Sequence, residues 1–246
     1  MLILLPPSEG KTAPSIGAPV DLDSLVYSDL LGERRARILD TLERLAKLPR
    51  GRATGMLGVS KGQSGEVDVD ALLRVAPAAP AAEVYTGVLY DRLGLPELPA
   101  AARGRVLIAS ALWGVVRPDD RIPYYRLSAK AKLTKIGPLS TWWRAALAEA
   151  MPDEAGELVV DMRSGAYAAA WKPKQATLLA VRAVSEGGGK RKPVSHMAKA
   201  VRGDVARALL EAKKPPADPE AAAAIARTAG FTVELTPNHL DVIVSA

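Results

Sequence analysis

The chain has 246 residues with a net charge of +6, and its 48% hydrophobic and 24% charged residues are typical of a folded globular protein. It has no cysteine and two histidines, which excludes disulfides, thiolate nucleophiles and thiolate or histidine-rich metal sites. The basic excess favours a partner that carries phosphate or carboxylate. We predict no metal and no cofactor. Because no apolar run approaches about 18 residues, we also predict no membrane association and a cytoplasmic location.

The first half of the chain predicts two strands and a helix. Residues 2–5, LILL, form a short apolar run halted by two prolines, as in a buried strand. Apolar residues at three- and four-residue steps predict an amphipathic helix over residues 28–48. Residues 105–116, RVLIASALWGVV, are dense enough in apolar side chains to predict one strand that is buried on both faces and ended by Pro118.

The second half adds helices and strands in an order that does not strictly alternate. Helices are predicted over residues 139–151 and 194–212, strands over 156–164 and 176–184, and a helix with two strands closes the chain. This order predicts an α/β fold with a mixed central sheet flanked by helices. We expect a single domain over residues 1–246, a monomer, with a basic cleft at the strand ends.

Polar side chains directly follow the first predicted strand. Ser8, Glu9 and Lys11 place a hydroxyl, a carboxylate and an ammonium at the point where ligands bind in open α/β sheets. The stretch is not a P-loop, because it retains Gly-Lys-Thr without the preceding glycine. Two interpretations stay open: Lys11 binds an anion, or the segment is a tight turn with exposed charges.

A second polar cluster follows the strand over residues 105–116. Arg117 and Arg126 could hold a phosphate bidentately, with Tyr124 and Tyr125 offering faces for stacking. The alternative is an internal network in which the arginines pair with the aspartates at positions 119 and 120.

The strand over residues 156–164 is also followed by polar groups. Asp161 and Tyr167 could move protons, while Arg163 could bind an anion. Because parallel strands present their carboxyl ends at one edge, we expect these residues, Lys11, Arg117 and Arg126 to share one cleft.

Glycines and lysines cluster before the helix over residues 194–212. Lys190, Arg191 and Lys192 follow three glycines, which suits close approach of the backbone to phosphates, although a solvated loop has the same composition. Upstream, Ile136-Gly137-Pro138 gives residues 133–147 a faint likeness to a helix-hairpin-helix, in which a glycine-containing turn presents amides to DNA phosphates.

Several stretches resemble, in order, those of the YaaA family of peroxide stress resistance proteins: MLILLPPSEGKT, VYTGVLYDRLGL, VLIASALWGVVRPDDRIPYYRL, LSTWWRAAL, VVDMRSGAY and SHMAKAVRGDVARALL. The resemblance implies a cytoplasmic protein with an unusual single-domain α/β fold. It also implies protection against hydrogen peroxide, restraint of free intracellular iron, and DNA binding through a basic cleft and a helix-hairpin-helix element.

Two functions of different classes remain open from the sequence. In the first, the protein binds double-stranded DNA, and phosphates are neutralised by Lys11, Arg117, Arg126, Arg163, Lys190, Arg191 and Lys192. In the second, it is an enzyme acting on a small anionic, nucleotide-like or carboxylated substrate, with Lys11, Asp161, Tyr167 and Ser8 as candidate catalytic residues. Lys11, Arg117 and Arg126 would hold the anion, and Asp161, Tyr167 or Ser8 would transfer protons. Direct iron storage is disfavoured, because the sequence has no Glu-x-x-His pair.

Overall fold

A computed structural model describes residues 1–187 and 190–244. Its strands are β1 (Leu2–Leu5), β2 (Ala78–Pro80), β3 (Val106–Ser110), β4 (Gly114–Val116), β5 (Arg121–Pro123), β6 (Lys132–Leu133), β7 (Gly137–Pro138), β8 (Leu158–Asp161), β9 (Thr177–Gly187), β10 (Lys190–Pro193), β11 (Val233–Thr236) and β12 (His239–Val244). Its α-helices are α1 (Ser28–Leu45), α2 (Arg50–Leu57), α3 (Glu66–Ala71), α4 (Ala81–Val84), α5 (Val88–Leu93), α6 (Ala100–Arg103), α7 (Leu139–Ala150), α8 (Gly165–Ala168), α9 (Ser195–Glu211) and α10 (Pro219–Thr228).

The central sheet has the order β11-β12-β9-β8-β1-β3-β4, with β10 paired to β9. The inner strands β12, β9, β8, β1 and β3 run parallel, whereas β11, β10 and β4 each pair antiparallel with a neighbour. The predicted mixed α/β sheet is therefore confirmed. Strands β1, β3 and β8 are buried almost throughout, as expected of parallel strands covered on both faces.

The prediction of one strand over residues 105–116 is wrong. The chain turns at residues 111–113, so that β4 returns antiparallel to β3 with Ser110 opposite Gly114. The Ser110 hydroxyl accepts hydrogen bonds from the amides of Leu112 and Trp113 and closes the turn. Gly114 has φ of 74°, and a Cβ there would lie 2.9 Å from the ring of Trp143, so both backbone and packing require glycine.

Helices pack against the sheet in two groups. Helices α5, α6 and α10 contact α9, which contacts β9, while α3 and α7 contact α1. Arg35 of α1 is fully buried and joins the helix to the sheet edge by donating hydrogen bonds to the carbonyls of Val26, Trp113 and Val115. Within the described residues, no helix is long and apolar enough to cross a membrane.

The faint helix-hairpin-helix pattern does not form over residues 132–150. In its place, β6 and β7 make a short antiparallel hairpin that leads into the single helix α7. The hairpin has positive φ at Lys135 (65°) in its turn and at Gly137 (78°) in β7. The expectation of DNA contact through this motif therefore lacks its structural basis.

Candidate functional site

A cavity of about 570 Å³ opens where β1 and β8 end. Its walls come from the segments that follow these strands, from residues 58–63, 86–90 and 125–130, and from α9. The position follows from the topology, because residues after the carboxyl ends of parallel strands meet at one edge of the sheet. The volume lies within the range of about 300–1,000 Å³ that is usual for ligand pockets.

The lining of the cavity is strongly cationic. Among the described residues it contains one carboxylate, that of Glu9, and five cations: Lys11, Arg126, Lys130, Lys199 and Arg202. Lys130 and Lys199 are exposed at the rim, whereas the other three cations are partly buried. Lys199 and Arg202 stand three residues apart on α9 and thus share one face of the helix.

Lys11 is held deep in this lining by its backbone and its side chain. Residues 10–12 pair antiparallel with residues 84–86, with Lys11 opposite Tyr85. The Lys11 ammonium donates to the carbonyl of Ser8 at 2.7 Å and lies 4.5 Å from the ring centre of Tyr125. Burial and, to a lesser degree, the charge of Arg126 lower the pKa of Lys11 to about 8, against the opposing effect of nearby carboxylates.

Buried tyrosines form the surface beneath Lys11. The hydroxyls of Tyr85 and Tyr125 are 2.8 Å apart, and that of Tyr125 is also 2.8 Å from the Ser110 hydroxyl. Tyr90 donates to the carbonyl of Pro6 at 2.7 Å, which fixes the start of the segment that carries Lys11. Burial raises the pKa of Tyr125 well above its usual value, so these phenols stay neutral and present π-faces to the cation.

Arg126 adds a second positive charge beside Lys11. Its Nη1 donates to the carbonyl of Glu9 at 2.6 Å, and among the described residues no carboxylate forms an ion pair with it. Its backbone amide donates to the Asp70 carboxyl at 2.8 Å. A guanidinium held by a neutral carbonyl keeps its charge available to an anionic ligand.

Behind Arg126 lie two acidic residues of α3 that the sequence analysis did not identify. Asp70 is 2% exposed, and burial, supported by the neighbouring Glu66, raises its pKa to about 7. Glu66 accepts a hydrogen bond from the Tyr124 hydroxyl at 2.9 Å. One oxygen of each carboxyl, Glu66 Oε2 and Asp70 Oδ2, has no hydrogen-bond partner within the part of the chain that the structure describes.

Ser8 and Tyr167, predicted from the sequence as proton-transfer groups, both line the cavity. The Ser8 hydroxyl donates to the carbonyl of Gly10 and accepts from the amide of Thr86, so that it shapes the loop that carries Lys11. Burial raises the pKa of Tyr167 to about 12, although a hydrogen bond to the backbone of Ala129 opposes this effect. The catalytic roles of both residues stay predictions.

The structure does not bring Arg117 to the cavity. Because β4 runs antiparallel to β3, the residues that follow it lie towards the opposite edge of the sheet. There Arg117 is exposed, and its amide donates to the Asp120 carboxylate, which also accepts from the amide of Val26. The expectation of a cleft shared by Arg117 and Lys11 fails because the chain reverses at residues 111–113.

Asp161 and Arg163 pair with each other. Arg163 Nε and Nη2 donate to the two carboxylate oxygens of Asp161 at 2.9 and 2.8 Å, and both side chains are buried. Arg163 also donates to the carbonyl of Trp171. Neither residue lines the large cavity; Arg163 lines a small neighbouring void of about 20 Å³. The pair therefore stabilises the loop after β8 through its own charges.

The remaining predicted residues divide between the cavity and other places. Tyr125 lines the cavity, whereas Tyr124 does not line it and donates a hydrogen bond to Glu66. The backbones of Lys190, Arg191 and Lys192 pair with β9, but their side chains lie outside what the structure describes.

The match to known families covers almost the whole chain. A family model described as "Peroxide stress protein YaaA" matches residues 1–235. A UPF0246 protein of Streptomyces coelicolor is 44% identical over 99% of this chain and 98% of its own length. A UPF0246 protein of Corynebacterium glutamicum is 39% identical with the same coverage. An uncharacterized protein of Campylobacter jejuni is 27% identical over 82% of both chains.

Proposed function

Because the chain belongs to the family of peroxide stress protein YaaA, we propose that it protects cells by binding double-stranded DNA through the cationic cavity. The observation that carries this proposal is the ratio of five cations to one carboxylate in the lining. Cations at this density would repel one another unless an anion neutralised them. DNA offers a row of phosphates, and bound phosphates release counterions, which drives association.

The cavity has exposed cations at its mouth and partly buried cations deeper in its lining, and this arrangement suits a polyanion. The exposed Lys130 and Lys199 can reach phosphates on either side of the cavity mouth as point charges. The deeper Arg126 and Arg202 can hold a phosphate oxygen in the planar geometry of a guanidinium. Binding of this kind reads the DNA backbone and carries little sequence preference.

The test is the salt dependence of duplex binding, measured by fluorescence anisotropy. If each of the five cations neutralises one phosphate, log Kd should change with log salt with a slope of about 4 to 5. Lys199→Gln should lower that slope by about 1. Lys213→Gln is the matched control, because Lys213 is exposed two residues beyond the far end of α9. Equal slopes in all three proteins would contradict the proposal.

The effect on free intracellular iron is part of the same proposal and depends on the cavity. Cells that lack the protein should regain a low level of free iron when they express the wild type, and fail to regain it with Arg126→Gln. Electron paramagnetic resonance of chelated iron in whole cells measures this level after a peroxide challenge. Full recovery with a variant that no longer binds DNA would separate the iron effect from DNA binding.

A second candidate is an enzyme for a small anionic substrate, and partly buried groups of the cavity lining support it. Lys11, Arg126 and Arg202 are partly buried around space that also meets the hydroxyls of Ser8 and Tyr167. A thermal-shift screen of nucleotides and phosphorylated or carboxylated metabolites tests this candidate. A ligand at about 100 times its Kd stabilises the protein by about 2.7 kcal/mol. A screen with no stabilising compound would argue against it.

A further inference from the structure

We propose that Lys11 is a nucleophile that forms an imine with the aldehyde of a phosphorylated deoxyribose. Such an aldehyde occurs at an abasic site in DNA, where phosphates flank the opened sugar, and in free deoxyribose 5-phosphate. The abasic form of this proposal rests on the DNA binding proposed above, while the free sugar form does not.

The first support is the position of the Lys11 amine. Lys11 lines the cavity, and among the described residues its Nζ makes one protein hydrogen bond, to the carbonyl of Ser8, and lies 4.5 and 5.6 Å from the ring centres of Tyr125 and Tyr85. Among the described residues no carboxylate lies within ion-pairing distance of it. Loss of its proton therefore breaks no salt bridge to any described residue.

The second support is the charge state of this amine. The groups that act on it are Arg126, which lowers its pKa, and the carboxyls of Asp70, Glu9 and Glu66, which raise it, and burial outweighs all of them. With a pKa of about 8, roughly a quarter of the amine is neutral at pH 7.5, against about one molecule in a thousand at the ordinary 10.5. Desolvated lysines of this kind are the ones that form Schiff bases.

The third support is the charge around the amine. Arg126 and Arg202 line the same cavity and can bind the phosphate next to the reacting carbon. Phosphate binding would place the aldehyde beside Lys11 and raise its effective concentration. A phosphorylated sugar thus meets both requirements of the cavity, an anion for the arginines and an electrophile for the amine.

The reaction balances without an external oxidant or reductant. The ammonium first passes a proton to water or to Glu9, the lining carboxylate. The Nζ lone pair then attacks the aldehyde carbon, a C–N bond forms, and the carbonyl π electrons move to oxygen. That oxygen takes up two protons, one from the attacking nitrogen and one from the group that accepted the first proton, and the C–O bond breaks as water leaves. Ammonium and aldehyde together become a protonated imine and one water.

The experiment is reductive trapping of the full-length protein with sodium borohydride. One arm uses a duplex that contains a single abasic site, and the other uses free deoxyribose 5-phosphate. Hydride converts the imine to a stable secondary amine, so wild-type protein should gain the mass of the DNA strand or of the sugar. Peptide mass spectrometry should place that modification on Lys11. Lys11→Arg should lose the trapped product, and Lys213→Arg should retain it.

The outcomes separate this inference from the proposed function. Binding of the intact duplex without trapping in either arm overturns the inference and leaves DNA binding in place. Trapping of the free sugar on Lys11 without duplex binding supports the inference and contradicts the DNA proposal. Modification spread over surface lysines, or undiminished in Lys11→Arg, overturns the inference. Should Lys11→Arg fail to fold, the position of the modification in the wild type decides.

Discussion

Replacement of Asp70 by asparagine should change the pH dependence of stability. Burial raises the pKa of Asp70 from 3.8 to about 7, so the folded protein holds this proton more tightly than the unfolded chain does. Stability from this group is therefore complete below pH 3.8 and is lost as the pH rises to about 7. Asparagine keeps the acceptor for the Arg126 amide and cannot ionise.

The size of the effect follows from the same linkage. Between pH 5 and pH 8.5 the wild type should lose on the order of 2–3 kcal/mol relative to Asp70→Asn, because from pH 5 to about pH 7 Asp70 is ionised in the unfolded chain and still protonated in the folded protein. The comparison uses the difference between two pH values within each protein. Any direct effect of the substitution that is independent of pH cancels.

Urea denaturation at pH 5 and pH 8.5, followed by circular dichroism, measures the four free energies of unfolding. The expected result is a smaller loss of stability with pH in Asp70→Asn than in the wild type. A pH dependence equal in the two proteins would refute the reasoning, since it would mean that Asp70 is ionised in the folded protein throughout this range.

Three further substitutions test the packing that positions the cavity, each by the free energy of unfolding. Arg35→Ala removes three hydrogen bonds to buried carbonyls and should lower the free energy of unfolding by on the order of 3 kcal/mol. A loss below about 1 kcal/mol would contradict the role of Arg35 in joining α1 to the sheet edge. Gly203→Ala places a Cβ against the Leu89 carbonyl and should cost about 1–3 kcal/mol, and an unchanged free energy of unfolding would contradict the close contact between α5 and α9. Asp161→Asn leaves Arg163 buried without its carboxylate and should cost about 3–5 kcal/mol, and a neutral result would show that the pair is dispensable.

The edge of the sheet that carries the cavity was predictable from the sequence. Two short apolar runs that end in polar residues predict parallel strands, and the carboxyl ends of such strands meet. Ser8 and Lys11 after β1 and Tyr167 after β8 are together in the cavity for this reason. To predict which residues meet at this edge, only the direction of the strands is needed, and connecting helices make consecutive strands parallel.

The path of the chain after β3 was not predictable from hydrophobicity. A strand buried on both faces and a buried hairpin give the same continuous apolar run, so residues 105–116 fit either. The informative signal was Gly114, since a glycine within an apolar run marks a turn or a close approach. A single strand would have placed Arg117 at the cavity, and the hairpin places it elsewhere.

The acidic pair behind Arg126 was hidden for a different reason. Glu66 and Asp70 occur in the sequence EVDVDA, which is typical of the exposed face of a short helix. Their partners are in the segment around Tyr124 and Arg126, more than fifty residues later, where the Tyr124 hydroxyl bonds to Glu66 and the Arg126 amide bonds to the buried Asp70. Such a contact depends on tertiary packing that no local pattern records.

Hydrogen exchange of the protein with and without a DNA duplex reports where on the molecule the DNA binds. If the cavity binds the duplex, exchange at saturating DNA should slow in the amides of residues 8–11 and 126–130, which line the cavity. Bound DNA that leaves these segments unchanged and protects residues 117–121 at the opposite edge would contradict binding at the cavity.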